Sequence, residues 1–214
     1  MDLFSKEPDL LNIPCEEVAE IASTCVKCRL SQGRTKVVFG SGPVPCDLML
    51  IGEAPGAEED EQGLPFVGRS GQLLTQVLAS VDIKRPDNIY IANTVKCRPP
   101  DNRAPQADEQ AACFPYLEAQ IKFVNPKIIL LAGSPAVKAV LKTEEPITGI
   151  RGKWLKYPGT NISVMPIFHP AYLLRNPSKE KGKPKWLTWQ DMQEVKHALE
   201  YIHKVEELAK EPDD

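Results

Sequence analysis

The sequence contains no hydrophobic run long enough to cross a membrane. Its longest continuous apolar stretch, 128–132, has five residues, whereas a transmembrane helix needs about 20. The segment from Met1 to Pro8 is acidic and has no hydrophobic centre, so it lacks the features of a secretory signal. We therefore expect a cytoplasmic protein without membrane association, in which the six cysteines stay reduced.

Positive charge is also not in excess. The formal net charge is −3, which by itself gives no sign of nucleic-acid binding. Its distribution is uneven, because residues 142–185 carry +6 and the rest carries −9. This asymmetry indicates either a phosphate-facing surface or a solvated lysine-rich loop, and charge alone favours neither.

Histidine is scarce. Of the three in the chain, His197 and His203 fall in a predicted amphipathic helix, whereas His169 follows a predicted strand. His169 is therefore the best candidate for a histidine that acts in a site. The alternative is a structural histidine at the end of a strand.

Cysteine, by contrast, is present in a pattern. Cys25 and Cys28 form a Cys-x-x-Cys pair, 68 residues separate Cys28 from Cys97, and 15 separate Cys97 from Cys113. A Cys-x-x-Cys turn presents two thiolates to zinc or iron, and the uneven spacing argues against a zinc ribbon. Spacing alone favours zinc and iron–sulfur equally. A third alternative is a redox pair with two buried core cysteines.

Patterns of buried strands and amphipathic helices alternate along the 214 residues, which indicates a parallel sheet covered by helices on both faces. We predict one domain over residues 1–214, a three-layer α/β/α sandwich with a mainly parallel, four-stranded central sheet. The predicted strands are 47–52, 89–95, 127–133 and 162–168. The predicted helices are 16–24, 68–81, 106–124, one capped by Ser134, and 190–209. We expect the acidic run 58–61 and the lysine-rich segment 178–184 to be solvated loops.

Polar groups follow three of the predicted strands. Ligands bind such sheets at the carboxyl ends of the strands. The segments Gly52–Gly56, Asn93-Thr94 and His169-Pro170 each lie at such an end. They are therefore expected to converge on one rim of the sheet.

Three segments resemble motifs of a known family. Residues 52–68 (GEAPGAEEDEQGLPFVG), 97–105 (CRPPDNRAP) and 169–175 (HPAYLLR) are similar, in this order, to motifs of the family 4 uracil-DNA glycosylases. The resemblance extends from about Cys25 to Arg175. It implies a DNA repair enzyme with the fold of that family, which flips uracil out of DNA and hydrolyses its N-glycosidic bond, leaving an abasic site.

The resemblance also implies a [4Fe–4S] cluster, because the four cysteines of the pattern fall where the ligands of the family do. This favours iron–sulfur over zinc. Hydrolysis transfers no electron, so we expect the cluster to act as a staple that orders the N-terminal region and the Cys97 loop. Cys15 and Cys46 fall outside the set and are expected to be ordinary thiols.

A pocket for the flipped base follows from the same resemblance. Phe66 resembles the residue that stacks on uracil, and Asn93 resembles the residue that reads it. An amide can donate to O4 and accept from N3–H, where cytosine presents the opposite pattern. Gly52 and Ala54 are expected to lie in the same pocket. The alternative for Asn93 is a turn-capping residue.

The reaction leaves negative charge on uracil, and His169 resembles the residue that donates a hydrogen bond to it. The position aligned with the water-orienting aspartate of the family 1 enzymes is Ala54, which cannot orient water. We expect Glu53, at the end of a strand, to position the water. Glu59 is expected to hold its loop or to help place the cation.

Contacts with DNA are expected from the His169 motif and the Cys97 loop. Leu173 is predicted to be an apolar wedge that fills the gap left by the flipped base, and Arg175 to reach phosphates. Asn102 resembles a family residue near the active site. Without the family, 172–174 would be a short buried segment. We expect a monomer that acts on uracil-containing DNA, either single- or double-stranded.

Two alternatives remain. The first is a relative that crosslinks to uracil-DNA, but such proteins carry a nucleophilic histidine in an arginine-rich loop near the third cysteine. Residues 98–105 contain no histidine. The second is a non-catalytic, metal-stapled DNA-binding module, against which the polar residues on the predicted rim argue.

Overall fold

The computed structural model describes residues 8–210. The first seven residues and the end at 211–214, which the sequence predicts to be frayed, lie outside the described residues. The strands in this range are β1 (Leu48–Gly52), β2 (Tyr90–Asn93), β3 (Ile128–Ala132), β4 (Leu155–Lys156) and β5 (Ser163–Ile167). The α-helices are α1 (Cys15–Ser23), α2 (Ala57–Gln62), α3 (Arg69–Ala79), α4 (Ala107–Val124), α5 (Ser134–Leu141), α6 (Ile147–Ile150), α7 (Pro170–Arg175) and α8 (Pro184–Leu208).

The strands form one sheet in the order β2-β1-β3-β5-β4. The pairs β2–β1, β1–β3 and β3–β5 are parallel, and β4 pairs antiparallel with β5. The predicted α/β/α sandwich with a mainly parallel sheet is confirmed, but the sheet has a fifth strand in addition to the four predicted. β4 has only two residues, which is too short for a periodic pattern to reveal it.

Helices cover both faces of the sheet, which explains why its strands are apolar throughout. On one face, Leu48 and Leu50 of β1 pack with residues of α3 and α8. On the other face, Met49 and Ile51 pack with residues of α4 and α5. α1 packs on α4 in a separate, smaller cluster that includes the side chain of Val18.

The last helix, α8, begins at Pro184, six residues before the predicted start at 190. Proline suits the first helical position because the N–H it lacks would have no partner there. Asp191, in the second turn, is buried and pairs with Arg151, a tertiary contact that the local sequence pattern does not contain. Although α8 has 25 residues, neither it nor any other helix in the range 8–210 is apolar enough to span a bilayer.

Two further predictions about local structure are wrong. The acidic run 58–61 lies in α2, and Glu59 and Asp60 are buried instead of solvated, because their carboxylates accept hydrogen bonds from backbone N–H groups. The N-cap of α5 is Gly133 instead of Ser134. Gly133 has a φ of +87°, a conformation that favours glycine.

The ion pair between Arg151 and Asp191 generates a prediction about stability. The Asp191 side chain is 2% exposed and that of Arg151 is 16% exposed, so Asp191→Ala should leave a largely buried guanidinium without its partner. We expect a loss of about 3–5 kcal/mol in the free energy of unfolding, measured by urea denaturation. Glu144→Ala, which breaks an ion pair with Lys138 between two exposed side chains, is the control and should change stability little. Similar losses in both variants would contradict the prediction.

Candidate active site

A cleft of about 720 Å³ opens where the parallel strands end. Its wall includes Glu53 and Ala54 after β1, Asn93 at the end of β2, Gly133 after β3 and His169 after β5. The parallel sheet therefore brings the predicted polar groups together on one rim, as the sequence indicates.

Asn93 has the most unusual environment in the cleft. It is 2% exposed, and its Oδ1 is the only buried side-chain nitrogen or oxygen in the described range without a hydrogen-bond partner. Such an atom costs about 1–3 kcal/mol, and within a cleft it marks a position where a ligand donor fits. A Cβ atom on Gly52 would lie 2.4 Å from this oxygen and 2.6 Å from Phe66 Cζ. Gly52 therefore allows the amide and the ring to meet.

Phe66 forms an apolar side of the cleft. It is 5% exposed, and its ring centroid lies 5.8 Å from that of His169. Its φ of +52° lies in the left-handed region, which is strained for a residue with a side chain. Arg85 holds this conformation, because its guanidinium donates to the carbonyl oxygens of Phe66 and Pro65, both at 2.6 Å. Gly71 makes room, since a Cβ atom there would lie 1.9 Å from the Phe66 oxygen.

The carboxylate of Glu59 restrains the loop that carries Phe66 through hydrogen bonds. Its carboxylate accepts hydrogen bonds from the backbone N–H groups of Val67 and Gly68, both at 2.9 Å, and of Gly56 at 3.1 Å. Both oxygens are engaged with the backbone. Of the two roles expected for Glu59, this geometry fits the one in which it holds the loop.

His169 is placed as a hydrogen-bond donor. It is the N-cap of α7, where Nδ1 accepts a hydrogen bond from the N–H of Ala171 at 3.1 Å. A neutral imidazole that accepts through Nδ1 carries its proton on Nε2. Burial, together with the charge of Arg175, lowers the pKa of His169 to about 4, against an opposing effect of Glu59. Near pH 7 the ring is therefore neutral and donates through Nε2.

Glu53 directly follows β1 and lines the same cleft as His169. Its carbonyl oxygen accepts a hydrogen bond from Thr94 Oγ1 at 2.6 Å, which fixes its backbone. Its carboxylate forms no hydrogen bond or ion pair with the described part of the chain. Burial raises the pKa of this carboxyl. A half-buried carboxylate without a protein donor is suited to orient a water molecule.

The prediction that Leu173 is the DNA wedge is contradicted by its burial, because it is 1% exposed. α7 packs on α3, and Leu173 belongs to its inner side. The neighbouring Tyr172 and Leu174 are 36% and 37% exposed, so Leu174 is the leucine that can reach a bound nucleic acid. Arg175 is exposed at the end of the same helix and lines the cleft.

Asn102 also lines the cleft and lies in the loop that follows Cys97. It has a φ of +54°, and its Oδ1 accepts a hydrogen bond from Arg98 Nε at 2.9 Å. The neighbouring Arg103 also lines the cleft and is held by two hydrogen bonds to the buried Glu109. The sequence motifs give no role to Arg103 or to Arg85. Arg103 is anchored by Glu109, six residues later, and Arg85 by carbonyl oxygens that lie 19 and 20 residues earlier.

The four cysteines of the pattern line a second, small cavity. Two come from the turn after α1, one from the loop after β2 and one from α4. Burial raises the pKa of Cys97, and raises that of Cys113 to about 11. Arg34 Nη1 lies 3.3 Å from Cys97 Sγ, and the N–H of Lys96 donates to Cys113 Sγ at 3.2 Å. The cavity is thus a thiol site with two nitrogen donors directed at sulfur.

The spacing of these thiols bears on the kind of metal. Across residues 8–210, no three His, Cys, Asp or Glu side chains are placed around one point for a single metal ion. A zinc ion would require sulfur atoms at about 2.3 Å from one centre. In an iron–sulfur cluster each thiolate binds a different iron, and the four cysteines that line this cavity match the number of thiolates that a [4Fe–4S] cluster takes.

Comparison with known proteins agrees with this geometry. The family model of the uracil DNA glycosylase superfamily matches residues 39–193. This range includes every strand of the sheet and each residue of the cleft described above. The fold and the site therefore define a glycosylase-like protein of that superfamily.

Comparison with individual curated proteins identifies the family within this superfamily. The type-4 uracil-DNA glycosylase of Thermotoga maritima is 46% identical over 166 residues, which cover 77% of this chain and 85% of the relative. That of Sulfurisphaera tokodaii is 43% identical over 173 residues, 78% of each chain. That of Saccharolobus solfataricus is 40% identical over 189 residues, 85% of each chain. The chain therefore belongs to the type-4 uracil-DNA glycosylase family.

The environment of His169 generates a prediction about pH. Its pKa in the folded protein, about 4, lies below the value near 6.5 that an exposed histidine has. As the pH falls from 7 to 5, the unfolded chain takes up a proton that the folded chain does not, so His169 lowers the stability of the fold. An NMR titration should show a neutral ring with the proton on Nε2 at pH 6. His169→Gln assigns the NMR signal of the ring. This variant should also lose less stability between pH 7 and pH 5 than the wild-type protein. A ring that titrates near pH 6.5 would contradict this prediction.

Proposed function

We propose that the protein excises uracil from DNA: it takes the flipped nucleotide into the cleft, hydrolyses the N-glycosidic bond and leaves an abasic site. The observation that carries the proposal is the buried, unpaired amide oxygen of Asn93. It shares the cleft with the Phe66 ring, which also approaches Gly52, and with the neutral donor His169. Uracil offers a flat ring, an N–H donor and two carbonyl acceptors, which match these three groups.

Base recognition follows from the groups around Gly52. The uracil ring stacks on Phe66, its N3–H donates to Asn93 Oδ1, and Asn93 Nδ2 donates to O4. Cytosine has an unprotonated N3 and a 4-amino group, so both contacts would become repulsive. A buried polar group left unpaired by the wrong ligand discriminates strongly. Selectivity therefore arises from the same burial that leaves Oδ1 without a protein partner.

Bond cleavage is assisted at both ends of the breaking bond. His169 Nε2–H donates to uracil O2, and this hydrogen bond strengthens as negative charge develops on the leaving base. A neutral donor suffices, which agrees with the lowered pKa of His169. Glu53 orients the water that attacks the sugar, and Glu59 acts indirectly by holding the Phe66 loop.

The nucleic acid is bound along the rim of the cleft. Arg175 contacts a phosphate, Asn102 borders the cleft, and Leu174 enters the base stack in place of the flipped nucleotide. The basic segment 142–185 contributes further charge, although Arg151 is committed to its ion pair with Asp191. The enzyme can act on uracil in single- or double-stranded DNA.

The cysteine cavity is proposed to hold a [4Fe–4S] cluster through Cys25, Cys28, Cys97 and Cys113. When bound, the cluster supplies a cross-link between three chain segments and takes no part in the hydrolysis. The Cys97 loop continues into the rim residues of the cleft, so the cross-link orders the substrate site. We further propose that the chain forms one domain and acts as a monomer in the cytoplasm.

The experiment that tests the proposed function uses oligonucleotides with a single uracil. Wild-type protein should release free uracil and leave abasic sites, which alkali converts into strand breaks. A stable covalent adduct on a denaturing gel would instead support the crosslinking alternative. Binding without base release would support the non-catalytic module.

Asn93→Asp should lower the rate of uracil excision by about 10²–10³, because the carboxylate accepts where an amide must donate to O4. Discrimination against cytosine should also weaken. Single-turnover kinetics on uracil- and cytosine-containing oligonucleotides give both values. Asn161→Asp, at an exposed position, is the matched control for the change of charge. A wild-type rate in Asn93→Asp would exclude Asn93 as the base reader.

Leu174→Ala should slow excision from double-stranded DNA by about tenfold or more, since base flipping there leaves a gap costing a few kcal/mol in lost stacking. Single-stranded DNA should be affected much less, because little stacking is lost. Leu173→Ala is the matched neighbour. Its buried side chain should change stability, by about 2–5 kcal/mol, instead of the strand preference. Equal effects of Leu174→Ala on single- and double-stranded DNA would contradict the assignment of Leu174 as a wedge.

Purified protein should be brown and contain about four irons per chain if the cluster is a [4Fe–4S] centre. Cys97→Ser should lose the visible absorption and most of the iron, because one thiolate ligand is missing. Cys46→Ser is the control. Cys46 is buried outside the cavity and donates to the carbonyl oxygen of Leu48, so this variant should keep its iron. Stoichiometric zinc in colourless protein would contradict the assignment.

A further inference from the structure

A lysine is enclosed between the cysteine cavity and the base-reading strand. Lys96, three residues after Asn93, is 2% exposed. Its ammonium donates to the carbonyl oxygen of Asn93 at 2.7 Å and to Gln120 Oε1, and it lies 6.0 Å from the centre of the Phe39 ring. No carboxylate of residues 8–210 forms an ion pair with it.

A buried ammonium without a negative partner is strongly unfavourable. The cysteines of the cavity are anionic at neutral pH when they bind the proposed cluster as thiolates, and Lys96 lines the same cavity. The N–H of Lys96 donates to Cys113 Sγ at 3.2 Å, and Cys97 is its neighbour in the chain. The position of Lys96 is therefore that of an internal counter-charge for the thiolates.

The surroundings hold the ammonium in one place. Gln120 is buried, and its Nε2 donates to the carbonyl oxygen of Phe39 at 2.8 Å and to the Tyr90 hydroxyl at 3.0 Å. A Cβ atom on Gly40 would lie 2.6 Å from that hydroxyl, so the packing leaves little freedom. The Gln120 amide is thus oriented with its oxygen toward Lys96.

We infer that Lys96 is a positioning residue that couples the cysteine cluster to the base-reading amide. Its ammonium balances the negative charge of the thiolates, and its hydrogen bond to the Asn93 carbonyl fixes the backbone from which the Asn93 side chain projects. This inference rests on the proposed function and on the proposed cluster. It assigns the cluster an influence on uracil binding through one side chain, in addition to its action as a cross-link.

Lys96→Met tests the inference because it keeps the length of the side chain and removes its charge and donors. We expect the affinity for free uracil to fall by about tenfold or more, together with the excision rate, while affinity for undamaged DNA stays unchanged. The reduction potential of the cluster should become more negative, because a nearby positive charge that favours the added electron is lost. A purely structural role would not move this potential.

Leu117→Ala is the matched control. It removes a buried core side chain from the helix that carries Gln120 but leaves Lys96 and both acceptors of its ammonium in place. This variant should lose stability and keep its uracil affinity within about twofold. Equal losses of uracil affinity in the two variants would overturn the inference in favour of packing. The inference would also be overturned if Lys96→Met kept the uracil affinity and the cluster reduction potential of the wild-type protein.

A measurement on wild-type protein decides the question if Lys96→Met does not retain iron. Coupling between two sites is reciprocal, so saturating free uracil must shift the potential of the cluster. We expect a negative shift, because a reduced cluster attracts the ammonium away from the Asn93 carbonyl. A twofold coupling corresponds to about 18 mV for a one-electron couple, at 59 mV per tenfold. An unchanged potential would overturn the inference. Absence of uracil release by wild-type protein would instead refute the proposed function.

Discussion

At the carboxyl end of β1, Gly52 has no side chain, and the Asn93 amide and the Phe66 ring occupy the space that a Cβ atom would need. The parallel pairing of β1 and β2, with Gly52 opposite Asn93, brings the two strand ends together. The His169 ring approaches in the same way, next to Gly133 after β3. The cleft thus depends on close contact between backbone and side chain at the ends of adjacent strands.

Charged side chains then hold the walls of the cleft through backbone groups. Glu59 accepts from three N–H groups, Arg85 donates to two carbonyl oxygens, and Lys96 donates to the Asn93 carbonyl. A hydrogen bond to a charged group is stronger than one between neutral groups. Because these hydrogen bonds are made to the main chain, they restrain the backbone of the loops. They do not occupy the side chains of Asn93 and Phe66.

Much of this arrangement could be predicted from the sequence. Apolar strand patterns and alternation with helices are local signals, so the three-layer fold and the convergence of Gly52, Asn93 and His169 follow from them. What could not be predicted depends on partners distant in the chain. The early start of α8 is accompanied by a hydrogen bond from Arg151 to the carbonyl oxygen of Leu187, 36 residues later in the chain. Leu173 and Leu174 are neighbours on one short helix but differ in burial. The thiol cavity needs three segments, whose proximity spacing alone does not reveal.

The unpaired oxygen of Asn93 also has a thermodynamic meaning. A buried acceptor without a hydrogen-bond partner lowers the stability of the unliganded fold. Binding of a ligand with a matching donor restores that stability. Heterocycles that present an N–H beside a carbonyl group should therefore raise the melting temperature, by an amount that grows with the logarithm of the ratio of ligand concentration to Kd. Thermal stabilisation thus ranks base analogues by affinity alone, without DNA and without turnover. The same relation makes the released base a competitor for the next flipped nucleotide.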